Sequence, residues 1–402
     1  MEPGEMSRAI ATAGDFRVRA RARLPHFLFE YYDGAAFGGE TARLNEAAFG
    51  AVRLPQNVLR DMSCIDLSTR VLDRDLTLPL VLSPVGLAGS ARRRGEALAA
   101  RAAFSRGVGF TLSTTSVCRA EEVAGVVAPW FQLYMLRDRA LAGRLLDTAS
   151  ALGCDTLVVT VDVPVLGRRW RDTYSGLGTE GPAGLARRVM QMIRRPCWLL
   201  ETGARGGPHN LGTIARLLGD DALPLSACMS FMDANLAPGV DRECLEWLRG
   251  QWRGNLVVKG VLEVQDASVA IDCGADALIV SNHGGRQLDG VDATAHALPR
   301  IARVVGGRVP LLVDGGIRTG LDILRALALG ADAAMVGRPW VFALAADGER
   351  GVARMIDLMA EELRIAMILT GCRDIDEVRA LSVTGNGRPA PRQSEWCGAG
   401  QV

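Results

Sequence analysis

With 402 residues, 49% hydrophobic and 23% charged, the chain has the balance of a globular protein with a large core, which excludes a disordered or collagen-like polymer. Its 46 basic and 45 acidic residues cancel to a formal +1, so it lacks the basic footprint that displaces counterions from nucleic acid, and no nucleic-acid partner is expected. No apolar run approaches the roughly 18 residues of a spanning helix, and residues 1–14 carry no apolar stretch of the kind a secretion signal needs.

In chain order, residues 1–77 read as helices and a short hairpin that cap one end of the larger domain C-terminal to them. Eight short runs rich in Val, Leu, Ile and Ala come next, at 78–85, 109–113, 130–134, 156–162, 256–261, 277–281, 309–314 and 333–337. They are continuous rather than alternating, as strands buried on both faces are. Helical patterns separate them. Residues 95–106 are Ala-rich, and 138–152 carries Leu141, Leu145 and Leu146 between an N-capping Asp138 and Gly153. Eight such units predict an α/β fold of the (β/α)8 TIM-barrel type, spanning 78–384, with the N-terminal helical cap before it. A doubly wound sheet would need a Gly-rich dinucleotide turn after the first strand, and none is present.

Residues 171–254 form a long insertion after the fourth strand, far beyond an ordinary βα connection. Within it, 185–200 reads as a basic amphipathic helix: Leu185, Val189, Met192 and Pro196 share one side and Arg187, Arg188, Arg194 and Arg195 another, with Trp198 beside them. Two readings stay open, a helix lying on an anionic membrane surface and one packed on the barrel or a partner subunit. The Gly- and Pro-rich tail, 385–402, is expected to be mobile. The nine cysteines are odd in number and scattered, with no CxxC, which predicts reduced thiols in a cytoplasmic protein and no metal site.

Chemistry in such a barrel belongs at the C-terminal ends of the strands. There the sequence puts Ser113, Gln132, Tyr134, Thr160, Asp162, Lys259, His283, Asp314 and Arg338. Lys259 is the single lysine among 46 basic residues, which points to a position where a compact ammonium is required. The turns Asp314-Gly315-Gly316-Ile317-Arg318 and Gly337-Arg338-Pro339 come after strands seven and eight, where backbone N–H groups and arginine can hold a phosphate. The segment 281–290, Ser-Asn-His-Gly-Gly-Arg-Gln-Leu-Asp-Gly, supplies a proton acceptor in His283 and, three residues on, a carboxylate clamp in Arg286. Asp162 can orient His283. Arg169 is a second anion holder, Tyr134 a partner for a substrate hydroxyl, and Tyr31 a group from the cap that can close over the mouth. His26, His209, His296 and Tyr32 read as structural.

Taken together, these residues resemble the FMN-dependent L-α-hydroxy acid oxidase/dehydrogenase family over nearly the whole chain, from Leu24-Pro25 to Thr370-Gly-Cys372. Segment 281–289 is the family's signature; 129–134, 160–162, 258–261, 314–318 and Gly337-Arg338 match as well. Stretches 27–34, 84–87, 113–118 and 207–212 are most similar to its bacterial respiratory lactate-oxidising branch, with the mandelate-oxidising branch next. The resemblance implies oxidation of an L-2-hydroxy acid, lactate first, to the 2-oxo acid, with electrons leaving to a quinone or another acceptor. His283 would be the base, paired with Asp162; Arg286 and Tyr31 would hold the carboxylate, Tyr134 the hydroxyl, and Arg169 would assist at the lid. Lys259 would sit beside flavin N1 and O2. Pro84, Val85, Gly86, Ser113, Gln132, Thr160 and Ser281 would border the ring, Asp314 the ribityl chain, and Gly315, Gly316, Arg318, Gly337 and Arg338 the phosphate. It also implies a homo-oligomer, often a tetramer, and an insertion peripheral to the inner face of the cell membrane.

The chain departs from the family's pattern at Phe37 and Gly38, where many relatives carry an acidic pair. Val85 stands for a common Thr, and Thr115 for a bulky aromatic. Gly86 stands where some relatives have Ala, a pattern that favours dehydrogenases over oxygen-using oxidases. The substrate side chain therefore stays open, with mandelate or another larger hydroxy acid, and oxygen as acceptor, the alternative. Two further classes compete: a non-redox flavin isomerase, which has no use for the His283–Arg286 set, and a silent binding protein, which would be expected to lose it.

Overall fold

The eight apolar runs form parallel strands because their side chains find apolar partners on both faces. A computed structural model describes residues 9–179, 181–207 and 209–383, so the tail expected at 385–402 lies outside the described residues. A hairpin, β1 (Thr69–Val71) and β2 (Arg74–Leu76), precedes the strands β3 (Leu80–Leu82), β4 (Gly109–Ser113), β5 (Trp130–Tyr134) and β6 (Thr156–Thr160). Then come β7 (Asn255–Val261), β8 (Ala277–Val280), β9 (Leu311–Val313) and β10 (Ala333–Val336), and the eight close into a barrel in chain order, β10 pairing with β3. This is the expected (β/α)8 architecture. Val81, Trp130, Val158, Val257, Ile279, Leu312 and Met335 fill the barrel, and a larger shell packs between strands and helices.

Register places the polar strand ends at one level: Ser113 pairs with Gln132, Tyr134 with Thr160, and Thr160 with Lys259. Between β7 and β8 the register slips after Lys259. Gly260 takes a φ of +108° there, and a Cβ on it would stand 2.7 Å from the Asp162 side chain. A bulge glycine thus makes the room in which Asp162 sits.

The N-terminal residues do not cap one end only. Val71 and Leu76 of the hairpin join the barrel's inner cluster. Arg74 bonds Asp155 just before β6, and Asn255 at the start of β7 bonds Asp73, so the hairpin seals the N-terminal end. The helices α1 (Asp15–Arg23), α2 (His26–Asp33) and α3 (Glu40–Ala51) run instead toward the C-terminal mouth, where Tyr31 of α2 lines the cavity. The physical reason is that each part buries a different apolar face.

The insertion is helical, but 185–200 is not one helix. Helix Gly181–Ile193 ends before Pro196, which opens a separate turn, Pro196–Trp198, as proline does at a helix start. Trp198 is buried, with its indole N–H donated to the Ser90 carbonyl. Three of the four arginines reach the protein's own carbonyls, although Arg187 and Arg194 remain exposed: Arg187 bonds Tyr174 O, Arg188 bonds Gly176 O and Thr179 O, and Arg195 bonds Leu24 O and Arg21 O. Leu185, Val189, Met190, Ile193 and Leu200 are left exposed. Guanidinium groups satisfying helix-end carbonyls outcompete apolar packing here, the reverse of a surface helix with its charges in water. Among the described residues, no helix is long and apolar enough to cross a membrane.

Candidate active site

A cavity of about 1370 Å³, counting its solvent-filled mouth, opens at the C-terminal end of the strands. Its wall includes Tyr31, Pro84, Val85, Gly86, Tyr134, Arg169, Lys259, His283, Arg286, Asp314, Gly315, Gly316, Arg318, Gly337 and Arg338. Ser113, Gln132 and Thr160 form a layer behind it. The Ser113 hydroxyl donates to Gln132 Oε1 at 3.0 Å, and Gln132 Nε2 donates to Thr160 Oγ1 at 3.0 Å. The fold brings the expected residues together from all eight strand ends and the cap.

His283 lies just beyond β8 in a left-handed conformation, with φ +56°. Its Nδ1 is 3.0 Å from Asp162 Oδ1, which leaves Nε2 for a ligand in the cavity. Burial raises the Asp162 carboxyl, but the charge and hydrogen bond of His283, with Lys259 nearby, outweigh it and hold the group below its ordinary 3.8. Folding therefore favours the ionised form. This contribution is present above about pH 3.8 and is lost as pH falls further. Thermal unfolding followed down through that range is expected to show a steeper loss for the wild type than for Asp162→Asn; parallel curves would contradict it.

Lys259 is buried and donates to Ser281 Oγ at 2.8 Å and to Asp314 Oδ2 at 2.8 Å. An ammonium has three donors, so one remains for the cavity. Asp314 Oδ1 is buried and has no hydrogen-bond partner among the described residues. Such an atom asks for a donor from a ligand.

Two partly buried arginines have no carboxylate at ion-pair distance among the described residues. Arg286 Nη1 donates to Tyr31 O at 2.8 Å and to Gly34 O at 2.9 Å. Arg338, which opens the long helix Arg338–Thr370 ahead of Pro339, donates to Tyr32 O, Gly284 O and Gly34 O at 3.2, 2.9 and 2.7 Å. Burial, then Arg169, lowers Arg286 to about 10; burial, then Arg286 and Arg318, lowers Arg338 to about 9. Carbonyls at the C-terminal end of α2 hold both guanidiniums, and bound anions would relieve their repulsion. Arg169 pairs with Asp172 at 2.8 Å, and its guanidinium stands 5.4 Å from the Tyr31 ring centre, where Arg286 stands at 5.2 Å. Arg318 reaches Glu46 at 2.7 Å.

The three histidines read as structural lie outside the cavity wall: His26 faces Glu30 at 3.7 Å, His209 the Gly203 carbonyl at 2.8 Å, and His296 Asp292 at 2.7 Å. Met229, Met232, Asp233 and Leu236 of the insertion also line the cavity. Their spacing on helix Leu225–Asn235 reads as an ordinary apolar face, so nothing in the sequence marked them. A Cβ at Gly86 would fall within clash distance of Thr115 Oγ1, so a side chain there requires that hydroxyl to move.

A mouth that gathers two arginines without carboxylate partners and a proton acceptor in one space is the layout of a barrel enzyme working with a phosphorylated cofactor on an acidic substrate. The chain belongs to the FMN-dependent dehydrogenase family, whose profile matches residues 20–384. It is 47% identical over 376 residues to an L-lactate dehydrogenase of Pseudomonas paraeruginosa (strain DSM 24068 / PA7), covering 93% of this chain and 98% of the relative. It is 49% identical over 371 residues to an L-lactate dehydrogenase of Caulobacter vibrioides (strain NA1000 / CB15N), covering 92% and 96%. Among solved structures, a mandelate oxidase superposes with a TM-score of 0.80 at 35% identity over 94% of this chain and 99% of its own. The monotopic membrane protein (S)-mandelate dehydrogenase superposes at 0.86 and 32% identity, over 94% and 100%. The protein is thus an FMN-dependent oxidoreductase. The residues present fit that cofactor: the free Asp314 oxygen suits a ribityl hydroxyl, and Arg338, lacking a carboxylate partner, suits a phosphate.

Proposed function

We propose that the protein oxidises an L-2-hydroxy acid, lactate in the first place, to the 2-oxo acid, and passes the electrons to a quinone or a similar carrier. The observation that carries this reading is His283, held by Asp162, lining one cavity with Lys259 and with Arg286, which has no carboxylate partner among the described residues. Arg286 and Tyr31 hold the substrate carboxylate, and Arg169 adds positive charge at the lid. Tyr134 donates to the substrate hydroxyl oxygen. Burial, then Asp162, pushes its phenol upward, so it keeps its proton. His283 Nε2 takes the hydroxyl proton, and Asp162 stabilises the imidazolium that results. Bound FMN supplies the two-electron acceptor. Lys259 places positive charge where the ring would gain electron density. Pro84, Val85 and Gly86 border the ring from the cavity wall, with Ser113, Gln132, Thr160 and Ser281 behind it; Asp314 takes the ribityl chain. Gly315, Gly316, Arg318, Gly337 and Arg338 take the phosphate.

Anaerobic mixing of the yellow protein with L-lactate, mandelate and longer 2-hydroxy acids tests the reading. Bleaching of the flavin band supports it, and no bleaching with any of them rejects it. Mandelate is the second candidate because Met229, Met232, Leu236, Val163 and Leu166 give the cavity an apolar wall.

The quinone reading gains support from the exposed apolar side of helix Gly181–Ile193 and from the monotopic relative. In this reading the helix rests on the inner face of the cell membrane by Leu185, Val189, Met190 and Ile193. Deleting 185–200 would also remove the buried Trp198 and the Arg195 clasp, so point charges are the cleaner probe. Val189→Glu with Ile193→Glu is expected to move the protein from the membrane fraction to the soluble one without changing flavin reduction by substrate. Unchanged partitioning would remove this support.

A further inference from the structure

We propose that Asn45, on α3 of the N-terminal cap, is a positioning residue for the base: through a reciprocal carboxamide pair with Asn282 it holds His283 in its left-handed conformation. The inference rests on the reading of His283 as the base. His283, Gly284 and Gly285 run consecutively at φ +56°, +63° and +74°. Glycine accepts such angles freely, whereas histidine does so only where its surroundings over-determine them.

Two groups fix the run at its start. The Ser281 hydroxyl oxygen accepts the His283 backbone N–H at 3.0 Å. Asn282, the residue before the run, is locked by its side chain. Asn45 Nδ2 donates to Asn282 Oδ1 at 2.8 Å, and Asn282 Nδ2 donates back to Asn45 Oδ1 at 2.8 Å. The spare valences are filled as well: Asn282 Nδ2 reaches the Asp292 carbonyl at 3.1 Å, and Asn45 Oδ1 accepts the Thr294 N–H at 3.1 Å. Both carboxamides are buried.

The choice of side chain is informative. Only a primary amide offers a donor and an acceptor side by side, so the pair has a fixed orientation that an apolar pair of equal volume would lack. The rest of the loop is anchored separately. Thr41 N donates to Asp289 Oδ1 at 2.8 Å, and Gly290 N donates to Thr41 Oγ1 at 2.9 Å. Loss of the Asn45 carboxamide therefore leaves Asn282 with only the Asp292 carbonyl to orient its side chain, loosening residue 282 while the loop stays docked. The carboxylate clamp is independent of the pair, because Arg286 hangs on the α2 carbonyls.

The test is anaerobic flavin reduction of the holoenzyme by the best 2-hydroxy acid, for Asn45→Ala in the wild-type background and again in His283→Ala. Asn45→Ala is expected to slow reduction at saturating substrate by about 10- to 100-fold, the scale of a catalytic group misplaced by an ångström. KM is expected to stay within about threefold, and Asn45→Ala to add less than about twofold once His283 is gone, since two residues acting through one group are not additive. Should Asn45→Ala not fold, the double variant Asn45→Ala with Asn282→Ala removes both halves, leaves fewer unmatched amide atoms, and is read the same way. Equal slowing in both backgrounds, an unchanged rate, or a loss confined to KM overturns the proposal. A wild-type flavin that no 2-hydroxy acid bleaches overturns the proposed function and this inference together.

Discussion

Replacing His283 by alanine leaves a yellow protein whose flavin is reduced by 2-hydroxy acid at least about 10²-fold more slowly, the lower end for loss of a general base. The substrate hydroxyl is far too weak an acid to release its proton unaided near neutral pH. The imidazole is placed for the task because Nδ1 is engaged by Asp162 at 3.0 Å, leaving Nε2 for the cavity. Cofactor binding should survive, since Lys259, Asp314 and Arg338 do not depend on the imidazole ring. Asp162→Asn is expected to cost less than His283→Ala, because it keeps a side chain of the same shape but removes the charge that stabilises the imidazolium. Stopped-flow reduction with flavin content as the control measures both. A wild-type rate in His283→Ala would refute the assignment.

The second large effect belongs to Arg286. Its guanidinium is partly buried and already gives hydrogen bonds to Tyr31 O and Gly34 O, so it is oriented before any substrate arrives. A charge-assisted bond is worth about 1.5–3 kcal/mol, and a bidentate clamp makes two. Arg286→Leu should therefore lower kcat/KM for a 2-hydroxy acid by roughly 10²- to 10⁴-fold, taking about 1.4 kcal/mol per tenfold. Arg286→Lys should fall between, because an ammonium keeps the charge but loses the planar fork. The wild type should reject the corresponding 2-hydroxy amide, whereas Arg286→Leu should lose that preference. If both forms discriminate acid from amide equally, the carboxylate is held elsewhere. Some loss of stability will accompany the change, since Gly34 O keeps Arg338 as a donor but Tyr31 O loses its partner.

The barrel was legible because strands buried on both faces leave an unbroken apolar run, and the run from Thr156 to Thr160 is one of the clearest. The base and the clamp were legible for a related reason: polar residues beside glycines at a buried strand's end have no packing purpose. Other features were not. The sequence leaves open whether 185–200 lies on a membrane or packs on the barrel or a partner; Arg187, Arg188 and Arg195 turn to backbone carbonyls that only the folded chain places there. Asn45 sits in a helix with an unremarkable pattern, and its partner is 237 residues away.

By itself, the order of residues along the chain determined the closed ring of strands, the end at which the cavity opens, and the candidate set His283, Arg286, Asp162 and Lys259 that lies there. These come from burial periodicity and side-chain chemistry, which are local properties. Tertiary structure alone decided which end the hairpin closes, which side of the inserted helix is presented outward, that α2 carbonyls hold two partly buried guanidiniums, and that an amide from the cap pairs with Asn282 beside His283. Each of those depends on hydrogen-bond partners distant in sequence, and a buried donor takes whichever acceptor the fold brings to it.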